Sequence, residues 1–154
     1  MRPISNRVPA ASASVPYDGD ILRTCPARVY DFMNTFAVVV SGARLNPCGH
    51  LLLNAGGCAG WYFHVAEVRG FPRGMGPAGF RRYLRDNGKR ELDRVRVPLL
   101  RPAAAMARLE ELLSVKWTWF VLPHNCARFV EEIVQAGGSS ASLLGNCPTA
   151  EVFR

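Results

Sequence analysis

The sequence contains no apolar run of the roughly 18–20 residues that a membrane-spanning helix needs. Its first residues, Met1 to Pro16, include arginine but no apolar stretch of the kind found in a secretory signal peptide. We therefore expect no membrane-spanning segment and no Sec signal. The protein is expected in the cytoplasm of the producing cell, or outside it through a specialised secretion machine. No internal repeat is visible either.

Cysteine is sparse and scattered, and no two cysteines form a C-x-x-C pair. The five are Cys25, Cys48, Cys58, Cys126 and Cys147. Because the count is odd, at least one must be free in an otherwise oxidised monomer. The pattern favours a reduced protein, or one with at most one or two bridges, over a disulfide scaffold.

Acidic residues are outnumbered, with 12 Asp and Glu against 19 Lys and Arg and a net charge of +7. Such a balance favours anionic partners such as nucleic acid, lipid headgroups or an acidic cell-wall polymer, although a solvated basic surface explains it equally well. With 154 residues, 49% of them apolar, the chain fits one domain with a sizeable core. We expect a mobile tail over residues 1–16, rich in Pro, Ala and Ser, and a single domain over residues 17–154.

Two strand-like runs form the clearest sheet signal. The segments HLLLN (50–54) and WYFHVAEV (61–68) flank the glycine-rich loop AGGCAG, which predicts a β-hairpin. The β-branched run FAVVVS (36–41) predicts a buried strand before it. RVRVPL (94–99) and KWTWFVL (116–122) predict two more strands.

Helices are predicted over residues 80–86, from Pro102 onward, and over NCARFVEEIVQA, which ends at the glycine pair Gly137 and Gly138. The segment GFPRGMGPAG (70–79) is so rich in Gly and Pro that we expect a long flexible loop. These elements predict an α+β fold, with a small antiparallel sheet flanked by helices.

The best helix carries the first candidate site residue. Asn125 is a preferred N-cap residue, which places Cys126 in the first turn. There the free N–H groups and the helix dipole favour a thiolate, so we expect a lowered pKa for the Cys126 thiol. Helical spacing puts Cys126 on the apolar face with Phe129 and Val130, toward the protein body. The alternative is that Cys126 merely packs as a small apolar residue.

The hairpin supplies two candidate partners for this thiol. If Asn54 pairs with Gly60, His50 and His64 become direct cross-strand neighbours on one face. Two adjacent imidazoles suit a general base and the group that fixes its tautomer and ring angle. His124 is too close to Cys126 in sequence for the two side chains to meet easily.

The same segment offers a rival interpretation. Cys48, His50, Cys58 and His64 are acceptable zinc ligands in type, within seventeen residues. Their spacing matches no common zinc module, and we expect no metal and no other cofactor.

Three segments together resemble the permuted papain-like cysteine hydrolases, a group that holds relatives of the NlpC-type cell-wall amidases and the lecithin:retinol acyltransferase-like enzymes. The segments are GHLLLNAGGCAGWYFHV (49–65), FVLPHNCARFVEEIVQAGG (120–138) and NCPTAEVF (146–153), about a third of the chain. In this group the histidine strand precedes the cysteine helix. The resemblance implies Cys126 as nucleophile, His50 as general base and His64 as the residue that orients the base. It also implies an oxyanion hole of backbone N–H groups at the start of the cysteine helix.

The resemblance implies a cysteine-dependent amidase or peptidase that works through an acyl-enzyme. A peptide or peptidoglycan-like amide is the expected substrate, in a cell-wall enzyme or a secreted bacterial effector, that is, an antibacterial toxin. An inhibitory partner protein is left open, and we do not expect a nucleic-acid partner. The same site fits a thiol acyltransferase, a thioesterase or a protein deamidase. A non-catalytic module is the remaining alternative, either zinc-stabilised or binding an anionic partner through Arg69, Arg73, Arg81, Arg82 and Arg85.

Overall fold

The computed structural model describes residues 14–22, 30–42, 49–66, 69–118 and 125–142. Within them the chain forms eight strands and three α-helices. The strands are β1 (Asp20–Ile21), β2 (Thr35–Val40), β3 (His50–Ala55), β4 (Trp61–His64), β5 (Arg69–Gly70), β6 (Arg73–Met75), β7 (Glu91–Arg96) and β8 (Trp117–Thr118). The helices are α1 (Pro77–Asp86), α2 (Pro102–Leu113) and α3 (Asn125–Ala136). Short 3₁₀ turns cover Phe32–Asn34 and Gly57–Ala59.

Six strands form one antiparallel sheet in the order β1-β6-β4-β3-β2-β7, and β5 pairs with β8 in a separate two-stranded sheet. The α+β prediction is therefore confirmed. β2 and β3 lie at the centre, where their β-branched and leucine side chains are buried on both faces. None of the helices in the described ranges is long and apolar enough to cross a membrane.

The sheet separates two apolar cores. The α2–α3 core lies on one face, where Leu51, Leu53 and Phe63 of the sheet pack with the buried sides of α2 and α3. The α1 core lies on the other face, and its members are Val38, Val40, Leu52, Tyr62, Met75, Phe80 and Tyr83. Because side chains alternate along a strand, neighbouring residues of β3 point into different cores.

The prediction of a flexible loop over residues 70–79 is wrong. This segment contains β6, which pairs with β4 and β1, and then the start of α1. Gly74 lies in β6 because a Cβ there would collide with Leu22 and come within 3.2 Å of Phe63. Pro77 occupies the first position of α1, where a missing N–H costs nothing. The glycine and proline here serve close packing and a helix start.

The other predicted elements agree with the structure in part. α3 ends at Ala136, directly before the predicted glycine pair, and α2 begins at Pro102 as expected. β7 ends at Arg96, earlier than predicted, since Pro98 has no N–H to offer a partner strand. The tail over residues 1–13, Cys25, Cys48, Cys147, His124 and the segment 146–153 lie outside the described residues.

Candidate active site

His50 and His64 form a direct hydrogen bond, with His50 Nε2 at 2.8 Å from His64 Nδ1. The predicted pairing of Asn54 with Gly60 is nevertheless wrong, because Asn54 pairs with Tyr62. β3 extends to Ala55, and the loop after it forms the 3₁₀ turn Gly57–Ala59. The Asn54 side-chain amide donates a hydrogen bond to the carbonyl oxygen of Gly57 in this turn. A shift of two residues keeps every side chain on its predicted face. The two histidines are therefore diagonal neighbours and not directly opposite.

The hydrogen bonds around His64 assign the tautomers of both rings. His64 Nε2 lies 2.7 Å from the carbonyl oxygen of Asp18, which can only accept, so Nε2 carries the proton. In neutral His64 the Nδ1 atom is then an acceptor, and His50 Nε2 must donate to it. In neutral His50 this leaves Nδ1 unprotonated. The chain Asp18–His64–His50 thus prepares one free imidazole nitrogen.

Both rings are neutral at physiological pH. Burial lowers the pKa of His64 to about 4, against the opposing effect of the bond to Asp18. Burial also lowers the pKa of His50 well below its usual range; the charge that His64 would carry when protonated and the charge of Lys89 act in the same direction. His50 keeps part of its surface exposed, although protein surrounds its ring closely enough for desolvation to dominate. His50 is therefore a neutral base in a residue that is partly exposed.

Cys126 lies in the first turn of α3, as predicted, and its side chain is only 2% exposed. The predicted apolar and polar faces of this helix are confirmed. The residues predicted for the Cys126 face are buried, and those predicted for the opposite face are exposed or half-buried. The buried set is Cys126, Phe129, Val130, Ile133 and Val134. The thiol therefore faces the sheet.

The prediction of a lowered thiol pKa is wrong. Burial raises the pKa of Cys126, while the backbone N–H groups of Leu51, Ala127 and Cys126 itself act to lower it. The helix start thus acts in the predicted direction, but desolvation outweighs it. At neutral pH the resting thiol carries its proton. The effect of the Leu51 N–H also places the thiol beside the start of β3.

The structure brings Cys126 next to the backbone that follows His50, but no hydrogen bond joins the Cys126 thiol to the His50 ring. Cys126 belongs to the α2–α3 core, whereas His64 packs edge-on against Tyr83 of the α1 core. Residues on the two faces of the sheet can approach each other only at an end of the sheet. His50 lies at such an end, because it is the first residue of β3. Catalytic hydrogen bonds often tighten only when substrate binds, and adjacency is the requirement on the resting site.

Comparison of the chain with protein-family models, curated proteins and solved structures finds no match. The resemblance to permuted papain-like hydrolases therefore stays a prediction, carried by residues 49–65, 120–138 and 146–153. The candidate site is argued from its own geometry.

Two residues near the site were missed by sequence reasoning. The carbonyl of Asp18 anchors His64 across 46 residues of chain. Lys89 follows α1, and its Nζ donates to the carbonyl oxygen of Ser41 at 2.9 Å. Neither position has a motif of its own, and both reach the site through long-range pairing. No local pattern could have identified them.

In the part of the chain that the structure describes, no additional side chain completes a zinc site with His50 and His64. Cys58 is exposed in the 3₁₀ turn, and Cys48 lies outside the described residues. No group of three or more His, Cys, Asp or Glu side chains placed for a metal ion occurs among the described residues. His50 and His64 each use one ring nitrogen in the hydrogen bond between them, so these two nitrogens are not available to a metal ion.

A cleft of about 370 Å³ lies between the 3₁₀ turn after Tyr30 and the start of α2. It is lined by residues 30–33 together with Pro102, Ala103 and Met106. None of the candidate site residues lines it, so this cleft is separate from the candidate active site.

Proposed function

We propose that the protein is a cysteine-dependent hydrolase that cleaves an amide bond through an acyl-enzyme on Cys126. The observation that carries the proposal is the chain of hydrogen bonds from Asp18 through His64 to His50. This chain leaves Nδ1 of His50 unprotonated, and the backbone N–H of the next residue, Leu51, contacts the Cys126 thiol. A base with a fixed tautomer next to a thiol is the arrangement that nucleophilic catalysis needs.

In the proposed reaction, His50 Nδ1 takes the thiol proton as the Cys126 sulfur forms a bond to the amide carbonyl carbon. The negative charge moves to the carbonyl oxygen, where backbone N–H groups at the start of α3 stabilise it. The C–N bond then breaks, and the proton on His50 passes to the leaving amine. Water attacks the resulting thioester, with His50 taking one of its protons. The acid leaves as the sulfur takes its proton back.

Because burial raises the pKa of Cys126 and lowers that of His50, the resting pair is neutral thiol and neutral imidazole. Proton transfer must therefore accompany attack, and a preformed thiolate–imidazolium pair is not part of the proposal. The low pKa of His64 keeps it neutral, so it acts by fixing the His50 tautomer.

The order of the parts supports a permuted papain-like arrangement, since the histidine strand β3 precedes the cysteine helix α3. We propose an amide in a peptide or in peptidoglycan as the substrate, in keeping with the basic balance of the chain. Acyl transfer, thioester hydrolysis and deamidation use the same acyl-enzyme and differ in the acceptor or leaving group. They are alternatives within the same site.

One observation favours a second function, a non-catalytic binding module. Cys126 is buried and packed with apolar neighbours, as a structural cysteine would be. Arg81, Arg82 and Arg85 project from α1 as an exposed basic surface that an anionic partner could contact.

Alkylation by iodoacetamide at pH 7, followed residue by residue with mass spectrometry, separates the two functions. Burial and a raised pKa by themselves predict that Cys126 reacts more slowly than exposed Cys58. Base assistance by His50 predicts the reverse order. In the His50→Ala variant the Cys126 rate is expected to fall by about a hundredfold, the usual size of a general-base contribution.

Cys58 serves as the internal control, and its rate should be the same in both proteins. The Cys126→Ser variant confirms the assignment of the label. If Cys126 reacts no faster than Cys58, or if its rate does not depend on His50, the hydrolase proposal is wrong and the binding module is favoured.

A further inference from the structure

Lys89 holds a fixed position at the end of the sheet that carries His50. Its backbone N–H donates to the Leu84 carbonyl at 2.8 Å, and its Nζ donates to the Ser41 carbonyl at 2.9 Å. Ser41 directly follows Val40, which is the cross-strand partner of His50. The ammonium group is thus anchored from both sides, one residue beyond the pair that starts β3.

Among the described residues, the ammonium group of Lys89 has one hydrogen-bond acceptor. It has three N–H donors, of which one binds Ser41. Within the described ranges, no carboxylate forms an ion pair with it at 4.0 Å or less. Lys89 is half-buried, so its charge is only partly solvated. A half-buried cation with free donors and no ion pair is positioned to bind an anion.

The charge of Lys89 acts on the candidate site. Burial lowers the pKa of Lys89, while the charges of Asp18 and Cys126 raise it. In return the ammonium contributes to lowering the pKa of His50, of His64 and of the Cys126 thiol. Lys89 is therefore electrostatically coupled to all three candidate catalytic residues.

We propose that Lys89 is a substrate-binding residue whose ammonium group binds a carboxylate next to the amide bond that Cys126 attacks. The inference rests on the proposed hydrolase function and narrows its substrate class to amides that carry an acidic group beside the cleaved bond. An ammonium is a compact point charge, which suits a single carboxylate that approaches through the partly exposed side of the site. The carboxylate would complete the ion pair that Lys89 lacks among the described residues.

Two alkylating agents of nearly equal size test this proposal, since iodoacetate carries a carboxylate and iodoacetamide is neutral. We expect the ratio of iodoacetate to iodoacetamide rates to be higher at Cys126 than at Cys58 in the same molecule. In the Lys89→Gln variant the ratio at Cys126 should fall about fivefold, the scale of a partly screened charge pair. Lys89→Arg keeps a cation at this position and should retain most of the preference.

Lys116→Gln is the matched control, because it removes the same charge by the same substitution at an exposed position between α2 and β8. It should leave the ratio at Cys126 unchanged. A purely structural role of the Lys89–Ser41 bond would slow both reagents equally and leave the ratio unaltered in Lys89→Gln. That result overturns the inference while the His50 dependence of iodoacetamide labelling still stands. If neither reagent reacts faster at Cys126 than at Cys58, both the proposed function and the role of Lys89 fail.

Discussion

Replacement of Gly49 by alanine tests whether the backbone at the start of β3, directly before His50, requires glycine. Gly49 has φ of +87°, in the region that only glycine adopts without strain. A Cβ at this position would lie 2.6 Å from the carbonyl oxygen of Val40. Val40 pairs with His50, so the collision falls on the residue pair that begins the strand.

The magnitude follows from two contributions. A left-handed conformation costs an alanine about 1–2 kcal/mol, and the reduced entropy of the unfolded chain offsets about 0.5 kcal/mol of that. Relief of the collision must displace the Val40–His50 end of the pairing, at about 1 kcal/mol for each hydrogen bond weakened. We expect Gly49→Ala to lower the free energy of unfolding by about 2–4 kcal/mol.

Gly88→Ala is the matched control. Gly88 also has positive φ, +58°, but nothing lies within 4 Å of its added Cβ. Only the conformational cost remains, so this variant should lose about 1 kcal/mol. Urea unfolding followed by circular dichroism gives both values. Equal losses in the two variants would refute the argument that Gly49 is required by the Val40 carbonyl.

Two further predictions concern the histidine pair. His64 has a pKa of about 4 in the folded protein against an ordinary value of 6.5, so the unfolded chain binds the extra proton. Stability should therefore fall as pH drops from 6.5 to 4, by up to about 3 kcal/mol from this residue. His64→Phe should flatten the pH dependence of the urea midpoint, and an unchanged slope would contradict the assignment. Nitrogen NMR at neutral pH should find both His50 and His64 protonated at Nε2, and a proton on Nδ1 of either ring would exclude the Asp18–His64–His50 chain.

The hairpin shows why part of the site could be predicted from the sequence. Any register that pairs residues of even separation puts His50 and His64 on one face, because their own separation is even and strand side chains alternate with a period of two. The predicted register was wrong by two residues, but the prediction that His50 and His64 share one face still held. The loop conformation that sets the true register depends on Asn54 bonds to Gly57 and Trp61, which no alternation pattern reveals.

The thiol pKa could not be predicted for a different reason. The position of Cys126 at a helix start is local and was found from Asn125 and the apolar spacing. Its burial depends on how α3 packs against the sheet, and that tertiary contribution reversed the direction of the shift. The prediction of a flexible loop around Gly74 and Pro77 was wrong for a similar reason. Composition cannot distinguish a glycine in a flexible loop from one that permits close packing.

The bond between His64 and the Asp18 carbonyl has a consequence for how the protein folds. It closes a loop of 46 residues, and β2 must likewise find β7 across the intervening strands and α1. Such high contact order favours slow folding, because the entropy of closing long loops is lost before the contacts reward it. We expect the segment around Asp18 to dock late, since β1 joins only at the sheet edge beside β6. The His50 tautomer would then be fixed only at the end of folding, and incompletely folded chains would lack a prepared base.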